Sequence, residues 1–323
     1  MRSPIVAATV LLFAAATGCD AAPQTQPPEP HASGTEIPLW PASLAITHPE
    51  KDPEIGDKTG GTGSKPVAGK PWNWNGNVWR PTMTIYPPRG RNTHAAIMVF
   101  PGGGYQVLAV DLEGTEICDW ATARGMTCVV LKYRVPQTWW HKDCNCQRQP
   151  VPFLPLQDAE RAMGLIRQRA VSLGVDPHKV GVIGFSAGGH LVTAISNATG
   201  RSYEAVDAAD AVSARPDFAM PIYPGHLWSG EGGPDGKNGV KLFPFDPVRA
   251  DAPPTFIVQA EDDPVDDVRN SISYFLALRE KTVPAEMHIY AHGGHAFGAR
   301  PTAQPITHWP ALAEKWLHTI GML

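Results

Sequence analysis

The sequence predicts an α/β fold, a mostly parallel central sheet with helices on both faces. Three observations carry this. Strand-like and helix-like segments alternate from about residue 77 onward. Two strand-like runs, AAIMVF at 95–100 and VGVIGF at 180–185, are apolar throughout, as in strands buried on both faces. The second run passes through a G-x-S-x-G turn directly into a helical pattern, a strand–turn–helix junction.

Each element has its own signal. TMTIY at 82–86 alternates and reads as a strand, and AAIMVF follows. Residues 115–124 are helical, and TCVVLKY at 127–133 is the next strand. Between 156 and 173, Ala159, Ala162, Leu165 and Ile166 recur at helical intervals. VGVIGF is followed by a helix over 187–197. Residues 218–223 and 255–260 are strands, and a helix runs from about 268 to 280. A short strand at 287–290 and a helix at 310–320 complete the pattern. Ligands in such sheets sit at the carboxyl ends of the strands.

Composition excludes several classes. The 323 residues suffice for one large or two ordinary domains. A formal net charge of −4 gives no general attraction for nucleic acid. With 18% charged and 43% hydrophobic residues, the chain is not disordered. The 31 Gly and 33 Pro imply many turns, and ten Trp offer flat surfaces for a ligand. Five Cys are too few for a disulfide scaffold. Cys118, in a helix, and Cys128, in a strand, read as small buried hydrophobes. His141, Cys144 and Cys146 lack the four-ligand spacing of a structural zinc site, so no metal and no cofactor is expected. Cys144 and Cys146 are left to pair with each other or not at all.

Residues 1–18 read as an export signal, with Arg2 ahead of an apolar run of 12 residues at 5–16. That run is too short for a bilayer, which needs about 20. Ala16-Thr17-Gly18-Cys19 resembles a bacterial lipobox that makes Cys19 the lipidated N-terminus, departing from it at Ala16. Plain cleavage near Ala21-Ala22 is the alternative. Residues 19–36 are a Pro-rich tether, 37–76 an irregular arm, and 77–323 one globular domain. This organisation implies an exported protein, either a periplasmic or outer-surface lipoprotein of a Gram-negative bacterium or, with the lipobox unused, a secreted one.

The strongest chemical signal is Gly184-Phe185-Ser186-Ala187-Gly188-Gly189-His190. A sharp turn there lifts the Ser186 hydroxyl off the sheet above a helix N-terminus. Such a nucleophile needs a base and an orienting acid, in chain order Ser, Asp, His. Strand 255–260 ends in Glu261-Asp262-Asp263-Pro264-Val265. Asp262, nearest the strand end, is the chosen acid, and Asp263 is the runner-up. Asp266 and Asp267 are assigned to opening the next helix. In the loop His292-Gly293-Gly294-His295, His295 is the base and His292 a buttress. His190 is expected to pack in the elbow helix, and His308 to be structural. Pro101-Gly102-Gly103-Gly104 follows AAIMVF. Three Gly in a row let backbone N–H groups approach an oxyanion, with the Ala187 N–H as partner donor.

FPGGGY, LKYR at 131–134, PLQDA at 155–159, GFSAGGHL and HGGHAFG together resemble the α/β-hydrolase superfamily, and within it bacterial acetylxylan esterases related to feruloyl-esterase-like hydrolases. Glu113-Gly114 belongs to the same set. The resemblance implies the α/β-hydrolase fold, Ser186, Asp262 and His295 as the triad, Gly103, Gly104 and Ala187 as oxyanion donors, and acetyl groups on hemicellulose as the substrate. It departs at Ala296, where Gly is expected, and in a longer aromatic segment at 135–154. Tyr105, Trp139, Trp140 and Trp228 are candidates for a sugar-binding rim. The expected partner is an acetylated oligo- or polysaccharide, with no nucleic acid, and with membrane contact only through the lipid anchor. A feruloyl or broad carboxylesterase is the second reading, and a non-catalytic sugar-binding lipoprotein the third. Nothing in the chain resembles the large gating domain of prolyl-oligopeptidase relatives, which weighs against a peptidase.

Overall fold

The computed structural model describes residues 33–44, 53–59, 65–136, 140–141, 146–147, 153–230, 239–242 and 247–323. These lie in one compact unit, His31–Leu323, while the other unit, Met1–Pro30, falls outside the described residues, and with it the segment read as an export signal and Cys19.

The main sheet has eight strands. In chain order they are β1 (Thr35–Pro38), β4 (Thr82–Tyr86), β5 (Ala96–Phe100), β7 (Thr127–Lys132), β10 (Val180–Phe185), β11 (Ala219–Ile222), β12 (Thr255–Ala260) and β13 (Ala285–Tyr290). Their spatial order is β1-β4-β7-β5-β10-β11-β12-β13. β1 and β4 are antiparallel to their neighbours, and the remaining pairings are parallel. Short strands β2 (Ile55–Thr59), β3 (Asn73–Gly76) and β6 (Val107–Leu108) form a second sheet, and β8 (Trp140–His141) pairs with β9 (Cys146–Gln147).

Every residue of β5 and β10 is buried, because each strand is covered on both faces. Alternate residues serve opposite layers. Ala96, Met98 and Phe100 pack with helices α2 (Leu154–Gln168) and α4 (Ala187–Asn197). Ile97 and Val99 pack with α1 (Glu116–Thr122) and α6 (Trp309–Thr319). The short α3 (Ala170–Leu173) extends α2, and α5 (Arg269–Glu280) packs against β12 and β13. This is the mostly parallel sheet with helices on both faces read from the sequence.

The arm departs from that reading. Its segment 37–76 is not wholly irregular: it carries β2, β3 and the end of β1, and β1 closes one edge of the main sheet. Leu39 is buried, and Trp40 Nε1–H donates to Asp158 Oδ1 at 2.8 Å. Asp158 is itself fully buried, and it accepts from the Arg134 backbone N–H and guanidinium. Burial pushes the Asp158 carboxyl pKa up, against the pull of Arg134 and Trp40. The LKYR and PLQDA motifs therefore meet in a structural ion pair that also holds the arm.

Cys118 and Cys128 correct a second expectation. They are joined in a disulfide rather than packed as free thiols. α1 lies against β7, which brings their Cα atoms to 5.3 Å. The ten-residue spacing carries no sign of this.

Candidate active site

Ser186 occupies the turn between β10 and α4 with φ +52° and ψ −119°. A non-glycine residue reaches this region only when its surroundings hold it there. Here the Ser186 N–H donates to the Ile222 carbonyl at 3.1 Å, and the Ser186 carbonyl accepts from His190 N–H. Gly188 is required for a different reason. A Cβ at that position would lie 2.1 Å from the Phe100 carbonyl oxygen, so only glycine lets α4 start this close to β5.

Three side chains form a line. His295 Nε2 lies 3.1 Å from Ser186 Oγ, and His295 Nδ1 lies 2.8 Å from Asp263 Oδ2. Asp263 is fixed in turn. Its Oδ1 accepts the N–H groups of Val265 and Asp266, and its Oδ2 accepts from Gln259 Nε2. Gln259 Oε1 is held by the Ser271 hydroxyl.

Asp262 was expected in that place and is elsewhere. The chain turns sharply after β12, which carries Asp262 outward to an exposed position and aims Asp263 beneath the histidine loop. Asp262 instead accepts the N–H groups of Gly293 and Gly294 and contacts His292 Nδ1 at 3.2 Å. The Gly294 N–H leads in holding the Asp262 carboxyl below the usual range. Its part is to shape the loop, with His292.

Burial works to lower the His295 pKa, but the Asp263 hydrogen bond and charge, joined by Asp266 and Glu113, outweigh it and hold the imidazole above its ordinary value.

The Gly-rich loop after β5 approaches the nucleophile closely. A Cβ on Gly102 would stand 3.0 Å from Ser186 Cβ. Gly103 has φ +133°, and a Cβ there would meet the Val107 carbonyl oxygen at 2.2 Å. Among the described residues nothing accepts the Gly103 or Gly104 N–H. With Ala187 N–H in the first turn of α4, which has no intrahelical acceptor, three donors are available beside Ser186. Beneath them lies Glu113, a buried residue that sequence reasoning had assigned only to the family pattern. Its Oε2 accepts the Gly102 N–H and its Oε1 the Tyr223 hydroxyl, both at 2.8 Å. The Tyr223 oxygen accepts the Gly298 N–H at 3.1 Å. One carboxylate thus ties the Gly-rich loop to the histidine loop. Burial pushes the Glu113 pKa up, and the Tyr223 bond leads the opposing contributions.

A sequence profile described as the prolyl oligopeptidase family matches residues 158–320, the stretch holding Ser186, Asp263 and His295. The chain belongs to the prolyl oligopeptidase family. A second profile, BD-FAE, matches residues 83–214, which hold the Gly-rich loop and the elbow. Over 227 residues, 65% of this chain, it is 34% identical to an acetylxylan esterase of Xylanibacter ruminicola, of which it spans 42%. The chain therefore covers about two fifths of the length of that curated relative. Among solved structures, an acetyl ester-xyloside bifunctional hydrolase from Caldicellulosiruptor lactoaceticus is 31% identical with a TM-score of 0.67, over 90% of this chain and 98% of that one. MGS-M1, an α/β hydrolase from a Medee basin deep-sea metagenome library, is 25% identical with a TM-score of 0.59, over 75% of this chain and 93% of that one. The resemblance to the α/β-hydrolase superfamily and its carbohydrate esterases stands.

Ser186 opens onto a cleft of about 1730 Å³. Its floor includes Gly103, Gly104, His190, Asp266 and His295. One wall comes from the arm, at Lys65 to Ala68 and Trp72. No sequence signal pointed to these, because they are far from the triad in the chain. Buried Arg300 pins this wall, donating to the Val67 and Lys70 carbonyls and to Glu116.

Of the rim candidates, Trp228 does line the cleft. Its Nε1–H donates to the Gly239 carbonyl, and the Arg269 guanidinium lies 3.6 Å from its ring centre. Tyr105 is not at the rim. It is fully buried, with its oxygen 2.7 Å from His190 Nδ1 and its ring against Phe153, so it supports the elbow helix from below. Trp139 and Cys144 lie outside the described residues, and only the backbones of Trp140, His141 and Cys146 are described. Asp267 does open α5, bonding the Arg269 N–H at 2.9 Å, but Asp266 does not join it. Its carboxylate accepts from the Ser186 hydroxyl at 3.1 Å.

Proposed function

We propose that this protein is a serine esterase that removes O-acetyl groups from plant polysaccharide, acetylxylan or a related hemicellulose. The observation that carries the reading is the line Asp263–His295–Ser186, with contacts of 2.8 and 3.1 Å, in one cleft with Gly103 and Gly104 and next to Ala187, whose N–H groups have no acceptor among the described residues.

The chemistry follows from that line. Neutral His295 takes the Ser186 proton as Oγ attacks the ester carbonyl carbon. The carbonyl oxygen becomes an oxyanion within reach of the three N–H donors. Asp263 keeps the proton of His295 on Nδ1, which leaves Nε2 free to accept. The charged imidazole then returns its proton to the leaving alcohol oxygen, and the acyl group stays on Ser186. Water, deprotonated by His295, releases acetate in a second cycle.

The names of an acetylxylan esterase and an acetyl ester-xyloside hydrolase among similar proteins support the substrate class. A cleft of about 1730 Å³, partly walled by aromatic Trp72 and Trp228, also suits a sugar chain. The same cleft has room for larger acyl groups, which favours a feruloyl or broad carboxylesterase as the second reading. Export, with a lipid on Cys19, is part of the proposal. The Cys118–Cys128 disulfide supports it, since such bonds persist in oxidising compartments.

The test is acetate release from acetylated xylan, xyloglucan and pectin, run beside ferulate release from feruloylated arabinoxylan. Acetylated xylan should be the best substrate, with Ser186→Ala inactive on all. Faster ferulate release, or substantial activity in Ser186→Ala, would overturn the assignment.

A further inference from the structure

Asp266 has no part in the triad or in opening α5. Its backbone N–H is taken by Asp263, and its carbonyl accepts from Gln259 Nε2 at 2.9 Å. The loop is therefore held at both ends of the residue, and the side chain is left to face the cleft. Gly225 makes the room: a Cβ there would stand 2.5 Å from Asp266 Oδ1. The carboxylate comes to rest 3.1 Å from Ser186 Oγ and 3.8 Å from His295 Nε2.

A negative group beside a nucleophile whose product is an oxyanion needs a reason. Among the described residues one side-chain donor reaches it, the Ser186 hydroxyl. During acylation that proton passes to His295 Nε2, so the donor at 3.1 Å is lost, and the charged imidazole stands 3.8 Å away, beyond hydrogen-bond distance. The imidazolium balances the carboxylate's charge but leaves Oδ2 as an open acceptor, which a substrate donor can fill.

Geometry limits what the replacement is. Protonated Nε2 must reach the leaving oxygen, which places that oxygen next to Nε2. Asp266 Oδ2 lies one hydrogen-bond step further along. The group that bridges this gap is a hydroxyl on the carbon adjacent to the esterified one.

We propose that Asp266 accepts a hydrogen bond from the free hydroxyl neighbouring the ester on the sugar ring, and so selects esters of a vicinal diol with one hydroxyl unacylated. This rests on the sugar-ester reading above and deepens it. The consequence is an order of action: a doubly acetylated sugar is a poor substrate until another activity removes the neighbouring acetyl. A site built to bond a substrate hydroxyl rejects analogues that lack it far more strongly than an apolar pocket rejects a missing methylene.

The test pairs substrate and enzyme changes. Methyl 2-O-acetyl-β-D-xylopyranoside is compared with its 3-deoxy and 3-O-methyl counterparts in wild type, Asp266→Asn and Asp266→Ala. Wild type should favour the free hydroxyl by about tenfold or more in kcat/KM. In Asp266→Ala that ratio should fall to within about twofold of unity, and in Asp266→Asn, whose neutral amide oxygen is a weaker acceptor, it should fall by about threefold or more, whatever the absolute rates. The ratio is internal to each preparation, so a partly inactive variant still reports, and the isosteric Asn variant serves if Ala does not fold. A ratio near one in wild type, or one unchanged in a variant, overturns the proposal alone. Hydrolysis of 4-nitrophenyl acetate with no cleavage of any sugar acetate overturns the sugar-ester reading and this inference with it.

Discussion

Replacing Asp263 by Asn separates the two adjacent acids. In the native site Asp263 Oδ1 accepts two backbone N–H groups, from Val265 at 2.8 Å and Asp266 at 3.0 Å. An Asn side chain must keep its carbonyl oxygen there, because turning the amide over would set its NH₂ against both donors. The NH₂ then occupies the Oδ2 position, 2.8 Å from His295 Nδ1 and 3.1 Å from Gln259 Nε2. Nδ1 can meet that NH₂ only as an acceptor, so the imidazole proton moves to Nε2. In that tautomer His295 cannot take the Ser186 proton. Loss of the correct tautomer lowers kcat by about 10⁴-fold in a triad hydrolase. That is about 5.5 kcal/mol of transition-state stabilisation. Asp262→Asn instead perturbs an exposed carboxylate that accepts from Gly293, Gly294 and His292, and should cost no more than about tenfold. The assay is steady-state hydrolysis of 4-nitrophenyl acetate by both variants, with circular dichroism to establish folding. Equal losses, or a larger loss in Asp262→Asn, would refute the assignment of Asp263.

Three further outcomes follow from the same geometry. Because His295 must be neutral to act and its pKa is held above the ordinary histidine value, kcat/KM should fall as pH drops through a limb lying above about 6.5, and Asp266→Asn, which removes one of the carboxylates holding it up, should move that limb to lower pH. A limb that stays put in the variant would show that Asp266 does not act on His295 electrostatically. Replacing both Cys118 and Cys128 by Ala opens a ten-residue loop and should cost about 2–3 kcal/mol, read as a drop in Tm of several degrees; an unchanged Tm would mean the cross-link contributes nothing. Glu113→Ala leaves the Gly102 N–H and Tyr223 hydroxyl without their buried acceptor, and should lower stability by about 2–5 kcal/mol in urea unfolding while also lowering kcat; normal stability would remove Glu113 from its tying role.

Much of the site was legible because its backbone demands are local. The strand-to-helix junction at Ser186 and the glycines that let it pass β5 are written in seven consecutive residues. So is the Gly-rich loop after a wholly apolar strand. What stayed illegible depended on direction and on distance in the chain. Asp262 and Asp263 are the same residue type one position apart, and the turn after β12 decides between them. Asp266 and Asp267 raise the same problem, with one aimed at the nucleophile and the other at α5. Tyr105 sits beside the oxyanion loop in sequence, but a left-handed φ of +56° turns it into the core under His190. The disulfide and the arm depend on tertiary packing, of α1 against β7 and of Trp40 against Asp158, which local patterns do not encode.

The arm changes where the fold can be said to begin. By composition, residue 77 marks the start of the fold, and everything before it resembles spacer. Structurally, those earlier residues supply the outermost strand of the sheet, the indole that helps satisfy a buried carboxylate, and one side of the cleft. The two parts of the substrate problem therefore have separate addresses. Ser186, Asp263 and His295 all lie after residue 100, while one wall of the groove comes from residues 65–68 and Trp72. Exchanging residues 65–72 between relatives would reshape the groove and leave the machinery of Ser186 as it is.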